Sequence, residues 1–470
     1  MTWQTVIGLE VHVQLKTHSK LFSPAPTGYG APANGQTNYI DAALPGTLPV
    51  LNQEAVHMAI QFALAIGAPI NQHCFFERKN YFYPDLPKGY QISQAQCPIV
   101  STGHLNKVEI IRAHLEEDAG KSLHDRDPLL TGIDLNRAGT ALLEIVTSAC
   151  LSSAQEALTY LKTLHQLVVF LGICDGNMQE GSFRCDVNIS LKPQGQGPLG
   201  TRVELKNLNS FRFIEKAIAY EEWRQQMLLE QGKPVIQETR LYNPSSNCTE
   251  VLRQKEDEND YRYFPDPDLL PLQISDEDIA SIRARMPETP QEIATRLATD
   301  KHLSADDIQW LLSSPAQLHC FDALKKQSLA SSKTIINWLK GPYAAILNER
   351  QQGFEAQLVP MDELVYLLDK IEKNECPKHL AKSIFLKRLD AQVSLKILIE
   401  KLASPSAENT KAALEKQIQA LLAQYPEQVA EYRSGKEKLL SFFVGLVMKQ
   451  CKGQANPEEV HAVLRRLLQS

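Results

Sequence analysis

The chain has 470 residues, 43% of them hydrophobic and 22% charged, with a net charge of −6. That length exceeds what one hydrophobic core organises, so two or three domains are expected, and no charge-free apolar run reaches membrane-spanning length. The start, MTWQTVIGLEV, lacks the basic and apolar regions of a secretory signal, which makes the cytoplasm the expected compartment.

Nine cysteines are scattered with no C-x-x-C pair. The odd number and irregular spacing argue against a disulfide framework and against a zinc ribbon, and buried reduced thiols are the plain expectation. Charge is spread unevenly: Lys401 to Ser470 holds ten Lys and Arg against seven Glu, although the whole chain is acidic. A nucleic-acid-facing tail gives such an excess, and so does an ordinary mixed helical surface.

Up to about Ser275 the pattern is strand-rich, with a few helices. VIGLEVHVQLK alternates, with Leu9, Val11, Val13 and Leu15 on one face and Glu10, His12, Gln14 and Lys16 on the other. Glu10 and His12 therefore project side by side and could present a carboxylate and an imidazole to one ligand. The solvent face of an antiparallel sheet has the same appearance. EAVHMAIQFALAIG has helical spacing and ends at Gly67, a suitable C-cap. RKNYFYPDLPKGYQIS then combines cations with tyrosines and a phenylalanine, which suits stacking on bases beside phosphates or, equally, a rigid turn pinned by Pro84 and Pro87.

HLEEDAGKS ends like a phosphate-binding loop but is not one. The glycine required five positions before Gly120 is Leu115, and Glu116, Glu117 and Asp118 would repel polyphosphate. Acids beside a phosphate point instead to a metal. Glu144 lies between Leu143 and Ile145 in TALLEIV, where burying a carboxylate is costly unless it is paired or metal-bound. SAQEALTYLKTLHQLVVFLG is helical and ends at Gly172. RCDVNISLK alternates again, with Asp186, Asn188 and Ser190 on one face, and in TRVELKNLNS Glu204 and Lys206 share a face. Oxygen-rich acids with at most one imidazole suit Mg²⁺ or Mn²⁺ better than Zn²⁺.

After DYRYFPDPDLLPLQIS the texture changes. From Asp276 onward amphipathic helix dominates, with SDED and PETPQE as capping signals, so a domain boundary is expected near 275–290 and a softer one in LASPSAENT. No amidase signature of the Ser-Ser-Lys kind, no Cys–His glutaminase motif and no tRNA-synthetase signature is present, so the chain shows no nucleophile of its own making.

GLEVHVQLK, RKNYFYPDLPKGYQIS, HLEEDAGKS, DLNRAGTALLEIV, EGSFRCDVNISL and VELKNLNSFRFIEKAI, in this order, resemble the GatB subunit of the tRNA-dependent amidotransferases, the GatB/GatE family. AEYRSGKEKLLSFFVGLVMKQCKGQANPEEV resembles that family's YqeY-like tail domain. The resemblance implies an α+β protein with a strand-rich cradle domain over 1–290, a helical domain over 291–402 and a tRNA-binding tail over 403–470. It implies two partners in a heterotrimer of the GatCAB kind, one the amidase and the other a small third chain, and mischarged Glu-tRNA(Gln) or Asp-tRNA(Asn) as substrate. With ATP and Mg²⁺ the side-chain carboxylate would be phosphorylated and then amidated by ammonia from the amidase, a carbon–nitrogen ligase reaction with glutamine as nitrogen donor.

Carried over residue by residue, the resemblance places Glu10, His12 and Glu117 at Mg²⁺, and Lys79, Glu117, Asp186 and Glu204 in catalysis. Lys79, Tyr81, Glu144 and Lys206 fall to the nucleotide, and Lys436, Lys438, Lys449 and Lys452 to tRNA. Many members carry two zinc-binding cysteine pairs after the first strand. FSPAPTGYGAPANGQTNYIDAALPG has none, so no zinc is expected there. A non-catalytic tRNA-binding scaffold and a free-standing kinase for a small carboxylate are the competing readings.

Overall fold

The computed structural model describes residues 2–124, 129–195, 197–254, 261–391, 393–403, 406–434, 436, 439–450 and 457–469. The chain divides into two compact units, 1–293 and 294–470. The first is built on an eight-stranded sheet. Its spatial order is Cys248–Gln254, Glu238–Asn243, Val203–Lys206, Phe183–Pro193, Trp3–Gln14, Ala141–Thr147, Val108–Glu117 and Gly103–Leu105. Neighbours run antiparallel except Val203–Lys206 and Glu238–Asn243, which are parallel and are joined through the helix Phe211–Glu230. A parallel pair needs a long connection of this kind.

Period-two alternation decides the two faces. Leu9, Val11 and Val13, with Leu143, Ile145, Val187 and Ile189, pack under Ala59 and Phe62 of the helix Gln53–Ala65 and Leu161 and Leu164 of the helix Ala154–Phe170, in one buried cluster. The intervening residues of the same strands leave charged side chains on the opposite face. Ser153 and Ser210 cap their helices by accepting from the backbone N–H of Glu156 and Phe213, and Gly67 and Gly172, both at positive φ, follow the helix ends.

A three-stranded sheet, Phe264–Pro265, Glu77–Asn80 and Tyr90–Ser93, lies beside the Val108–Glu117 strand, and Gln91 Nε2 donates to the Glu117 carbonyl at 2.6 Å. The cysteine-free segment after the first strand is tied down by polar contacts. Lys20, fully buried, donates to Asp41 Oδ2 at 2.9 Å and to the Leu135 carbonyl, while Asn34 and Asn136 bridge the two loops.

Among the described residues no strand follows Gln273. The second unit is helical and buries Leu311, Phe321, Ile336, Leu339, Leu367 and Phe385. Pro342 lies inside a π-helical turn, Leu339–Tyr343, where its missing N–H and its ring cannot fit a regular α-helix. Ile418, Leu440, Phe443, Val447, Val460, Leu464 and Leu468 form a hydrophobic cluster of their own. The boundary expected at 403 adjoins residues outside the described set.

Candidate functional site

The strand register turns isolated acids into rows. His12 stands opposite Glu144 on one side and Arg184 on the other, and Glu144 stands opposite His114. Four residues from four adjacent strands thus line up across the polar face, at the short cross-strand separations that let side chains meet. Glu116, two residues beyond His114, joins them. His12 Nε2 lies 3.6 Å from Glu116 Oε1 and 3.7 Å from Glu144 Oε2, and His114 Nε2 lies 3.3 Å from Glu144 Oε2.

Next to this row, Glu10 pairs with Asp186 and Asn188 with Glu204. Asn188 donates to Glu10 at 2.8 Å, Thr239 donates to Glu204 at 2.7 Å, and Lys206 bonds Asp186 while lying 3.2 Å from Glu204. Two sets, His12–Glu116–Glu144 and Glu10–Asp186–Glu204, each bring three ligand atoms within 4.8 Å of one another.

The electrostatics follow from this crowding. Burial lowers the His114 pKa, but the neighbouring carboxylates of Glu144 and Glu116 outweigh it and carry the imidazole to about 9. Burial likewise pushes Glu144 up, yet His114, His12 and Lys79 hold it well below the usual carboxylate range. Lys79 is pulled down by burial and pushed further up by Tyr263, Glu116, Glu144 and Tyr81, so it stays charged. Its Nζ sits 4.8 Å from the Tyr261 ring centre and 5.8 Å from that of Tyr81. Burial raises the Tyr81 hydroxyl, which donates to Gln91 at 3.3 Å.

Residues 5–280 match the GatB/GatE catalytic domain, and residues 319–468 match the GatB domain. The chain belongs to the GatB family. It is 57% identical to the aspartyl/glutamyl-tRNA(Asn/Gln) amidotransferase B-subunit of Legionella pneumophila (strain Lens). It is 50% identical to that of Thioalkalivibrio sulfidiphilus and 49% to that of Nitrosococcus oceani. Each comparison covers 100% of both chains.

Within this GatB-family framework the expected metal trio of Glu10, His12 and Glu117 does not converge. Glu10 and His12 fall in the two neighbouring sets, and Glu117 belongs to neither. Its carboxylate accepts from Lys88 Nζ at 2.6 Å and from the Ile92 backbone N–H at 3.0 Å. The pleat is the reason, because Glu116 and Glu117 point to opposite sides of their strand. Glu144 stands in the His12 set, whereas Asp186, Glu204 and Lys206 stand together in the other. Lys79 and Tyr81 adjoin each other at the small sheet.

His114, Glu116 and Lys88 supply contacts that sequence motifs alone do not assign. His114 and Glu116 carry a usable signal, since they alternate with the buried Ala113 and Leu115. Lys436 is exposed and pairs with Glu431 at 3.2 Å, and Lys449 is exposed in the last turn of Leu439–Gln450. Lys438 and Lys452 lie outside the described residues. Among the described residues no helix is long and apolar enough to cross a membrane.

Proposed function

We propose that this chain activates the side-chain carboxylate of a mischarged Glu-tRNA(Gln) or Asp-tRNA(Asn) with ATP and passes it to ammonia. The observation that carries this reading is the row His12–Glu144–His114 with Glu116, assembled from three strands of a GatB-family catalytic domain. The attacking carboxylate oxygen bonds to the terminal phosphorus as ADP leaves, and ammonia then displaces phosphate at the carbonyl carbon and loses a proton.

The donor chemistry fits Mg²⁺ at His12, Glu116 and Glu144, two carboxylates and an imidazole with ligand atoms already gathered. Bound there, Mg²⁺ would neutralise phosphate oxygens during transfer. In the second set Lys206 sits against Asp186 and Glu204, as the charged His114 sits against Glu144 and Glu116 in the first. Lys79 keeps its charge and supplies a cation for a phosphate, with Tyr81 and Tyr261 forming its aromatic surround. Glu10, Asp186 and Glu204 form an acidic patch that suits binding ammonium and taking the proton it must lose to attack as ammonia.

The names of the relatives indicate a multi-subunit enzyme, in keeping with a chain that shows no nucleophile for glutamine hydrolysis. The test is an assembled enzyme whose amidase partner has lost its nucleophile, given ATP, mischarged tRNA and ammonium salt. Amidated tRNA is expected. No product from an intact, tRNA-bound complex overturns the proposal and favours a scaffold role.

A further inference from the structure

Two motif arginines have no part in the reading above. Arg137 belongs to DLNRAGTALLEIV and Arg184 to EGSFRCDVNISL, yet both turn to Asp118 of HLEEDAGKS. Arg137 Nη2 donates to Asp118 Oδ2 at 2.6 Å, and Arg184 Nη2 lies 3.0 Å from Asp118 Oδ1. Three separate motifs therefore meet at one buried carboxylate.

Asp118 engages both guanidiniums but cannot accept from all their N–H groups, since each guanidinium carries five in a fixed fork. Arg137 Nε and Arg184 Nε are buried without a hydrogen-bond partner, whereas Arg184 Nη2 is engaged by Asp118. Donors left in that state are costly, and a second acceptor removes the cost. Each side chain is 35% exposed through atoms other than these buried nitrogens, so a ligand approaches the outer part of each guanidinium group. The charges agree: two guanidiniums against one carboxylate leave an excess positive charge beside an acidic cluster.

Position gives the pair its meaning. Arg184 is the cross-strand partner of His12, and its strand neighbour Asp186 lies in the adjacent acidic set. Gly181, at φ +85, faces Arg137, and a Cβ there would lie 3.6 Å from Arg137 Nη1. That is ordinary van der Waals contact, so the glycine is required there by its positive φ and packs directly against the guanidinium. A brace for the Asp118 turn would need only one cation with one or two donors, so bracing does not account for a second fork.

We propose that Arg137 and Arg184 form an oxyanion receptor beside the His12–Glu116–Glu144 cluster, held in place by Asp118, whose ligand is the side-chain carboxylate about to be phosphorylated. This rests on the proposed function, since it names the group that holds the acceptor of that reaction. A planar carboxylate matches the guanidinium fork, and a terminal phosphate oxygen pair shares the same chemistry.

The test uses the assembled enzyme and measures two affinity ratios: Glu-tRNA(Gln) against Gln-tRNA(Gln), which differ only in carboxylate and amide, and Mg-ATP against Mg-ADP. Arg137→Lys and Arg184→Lys are each expected to cut the aminoacyl-tRNA ratio about ten-fold, the scale of a hydrogen bond to a charged group, and to leave the nucleotide ratio unchanged. Loss in the nucleotide ratio alone keeps the receptor and assigns its oxyanion to the terminal phosphate. Both ratios unchanged, in variants with wild-type urea midpoints, overturn the receptor.

If the variants fail to fold, the wild-type enzyme answers by phenylglyoxal labelling of Arg137 and Arg184. Protection by mischarged tRNA beyond that given by uncharged tRNA, or by Mg-ATP beyond Mg-ADP, supports the receptor, and protection by neither overturns it. Amidation by the wild-type enzyme is scored separately, so failure of the proposed function is seen as lost product, not as an unchanged ratio.

Discussion

The half-buried Lys88 and the buried Glu117 form an ion pair, with Nζ donating to Oε1 at 2.6 Å, and this contact separates Glu117 from the two acidic sets beside it. Glu117→Gln leaves Lys88 without its counter-charge and is expected to cost about 3 kcal/mol of stability. Glu144→Gln instead removes a carboxylate oxygen from the set proposed to hold Mg²⁺ and is expected to weaken Mg²⁺ binding at least ten-fold. Calorimetric titration of the assembled enzyme with Mg²⁺ compares the two variants. A loss in Glu117→Gln as large as that in Glu144→Gln would return Glu117 to the metal.

The Lys20–Asp41 pair holds the segment after the first strand, and both side chains are almost fully buried. Lys20→Met strands the Asp41 carboxylate and is expected to cost about 3–5 kcal/mol, whereas Lys20→Met with Asp41→Leu is expected to recover most of that loss. Gly139 gives an independent check: at φ +79, a Cβ would lie 2.8 Å from Asp41 Oδ1, so Gly139→Ala should destabilise as well. Urea midpoints of the four proteins decide this, and a single mutant as stable as wild type would remove the pair from any structural role.

Much of the sheet was legible because alternation is local. Leu9, Val11 and Val13 announce the apolar face, and Glu10 and His12 must then lie opposite. Which acids meet is a different matter, since it depends on the register of four strands, and no local pattern sets His12 against both Glu144 and Arg184. The choice between Glu116 and Glu117 was harder because of a bulge: Ile110 pairs with Thr147 and Arg112 with Val146, so Ile111 is the extra residue and the pleat changes phase there. Val108 and Ile110 face the core before it, Ala113 and Leu115 after it. Counting back in steps of two from Leu115, not forward from Val108, places Glu116 on the face opposite the core, with His12 and Glu144. The helical half was legible from its caps, whereas the π-turn at Pro342 left no periodic signal.

In the second unit, Asp307 gives a pH signature. Burial raises its pKa, but Lys333 and the Ser304 cap hold it below the usual range. The folded value therefore lies under the unfolded one, so the contribution is present above about pH 4 and is lost as pH falls toward the folded value. Lys333 and Lys340 are 47% and 41% exposed, which leaves the Ser304 hydrogen bonds as the larger part of the effect. Asp307→Asn is expected to cost about 1–2 kcal/mol at pH 7, the scale of a capping interaction, and to flatten the acid dependence of the unfolding midpoint below about pH 4. A parallel pair of pH curves would show that Asp307 carries no such linkage.

Salt dependence tests whether the C-terminal lysines meet RNA phosphates. Lys436 is 64% exposed and only loosely engaged by Glu431, and Lys449 is exposed at its helix end, so neither is committed to the fold. A lysine that neutralises a phosphate releases condensed counterions, and its loss lowers the slope of log affinity against log salt by about 0.7–0.9. Lys436→Ala and Lys449→Ala in the assembled enzyme are each expected to flatten that slope by about this much and to weaken mischarged and uncharged tRNA equally, because phosphate contacts carry no information about the esterified acid. Filter binding between about 50 and 200 mM salt, a roughly four-fold range, resolves a change of that size. Slopes identical to wild type would mean that these lysines only solubilise a helix surface, and the proposed tRNA contact would have to lie elsewhere in the chain.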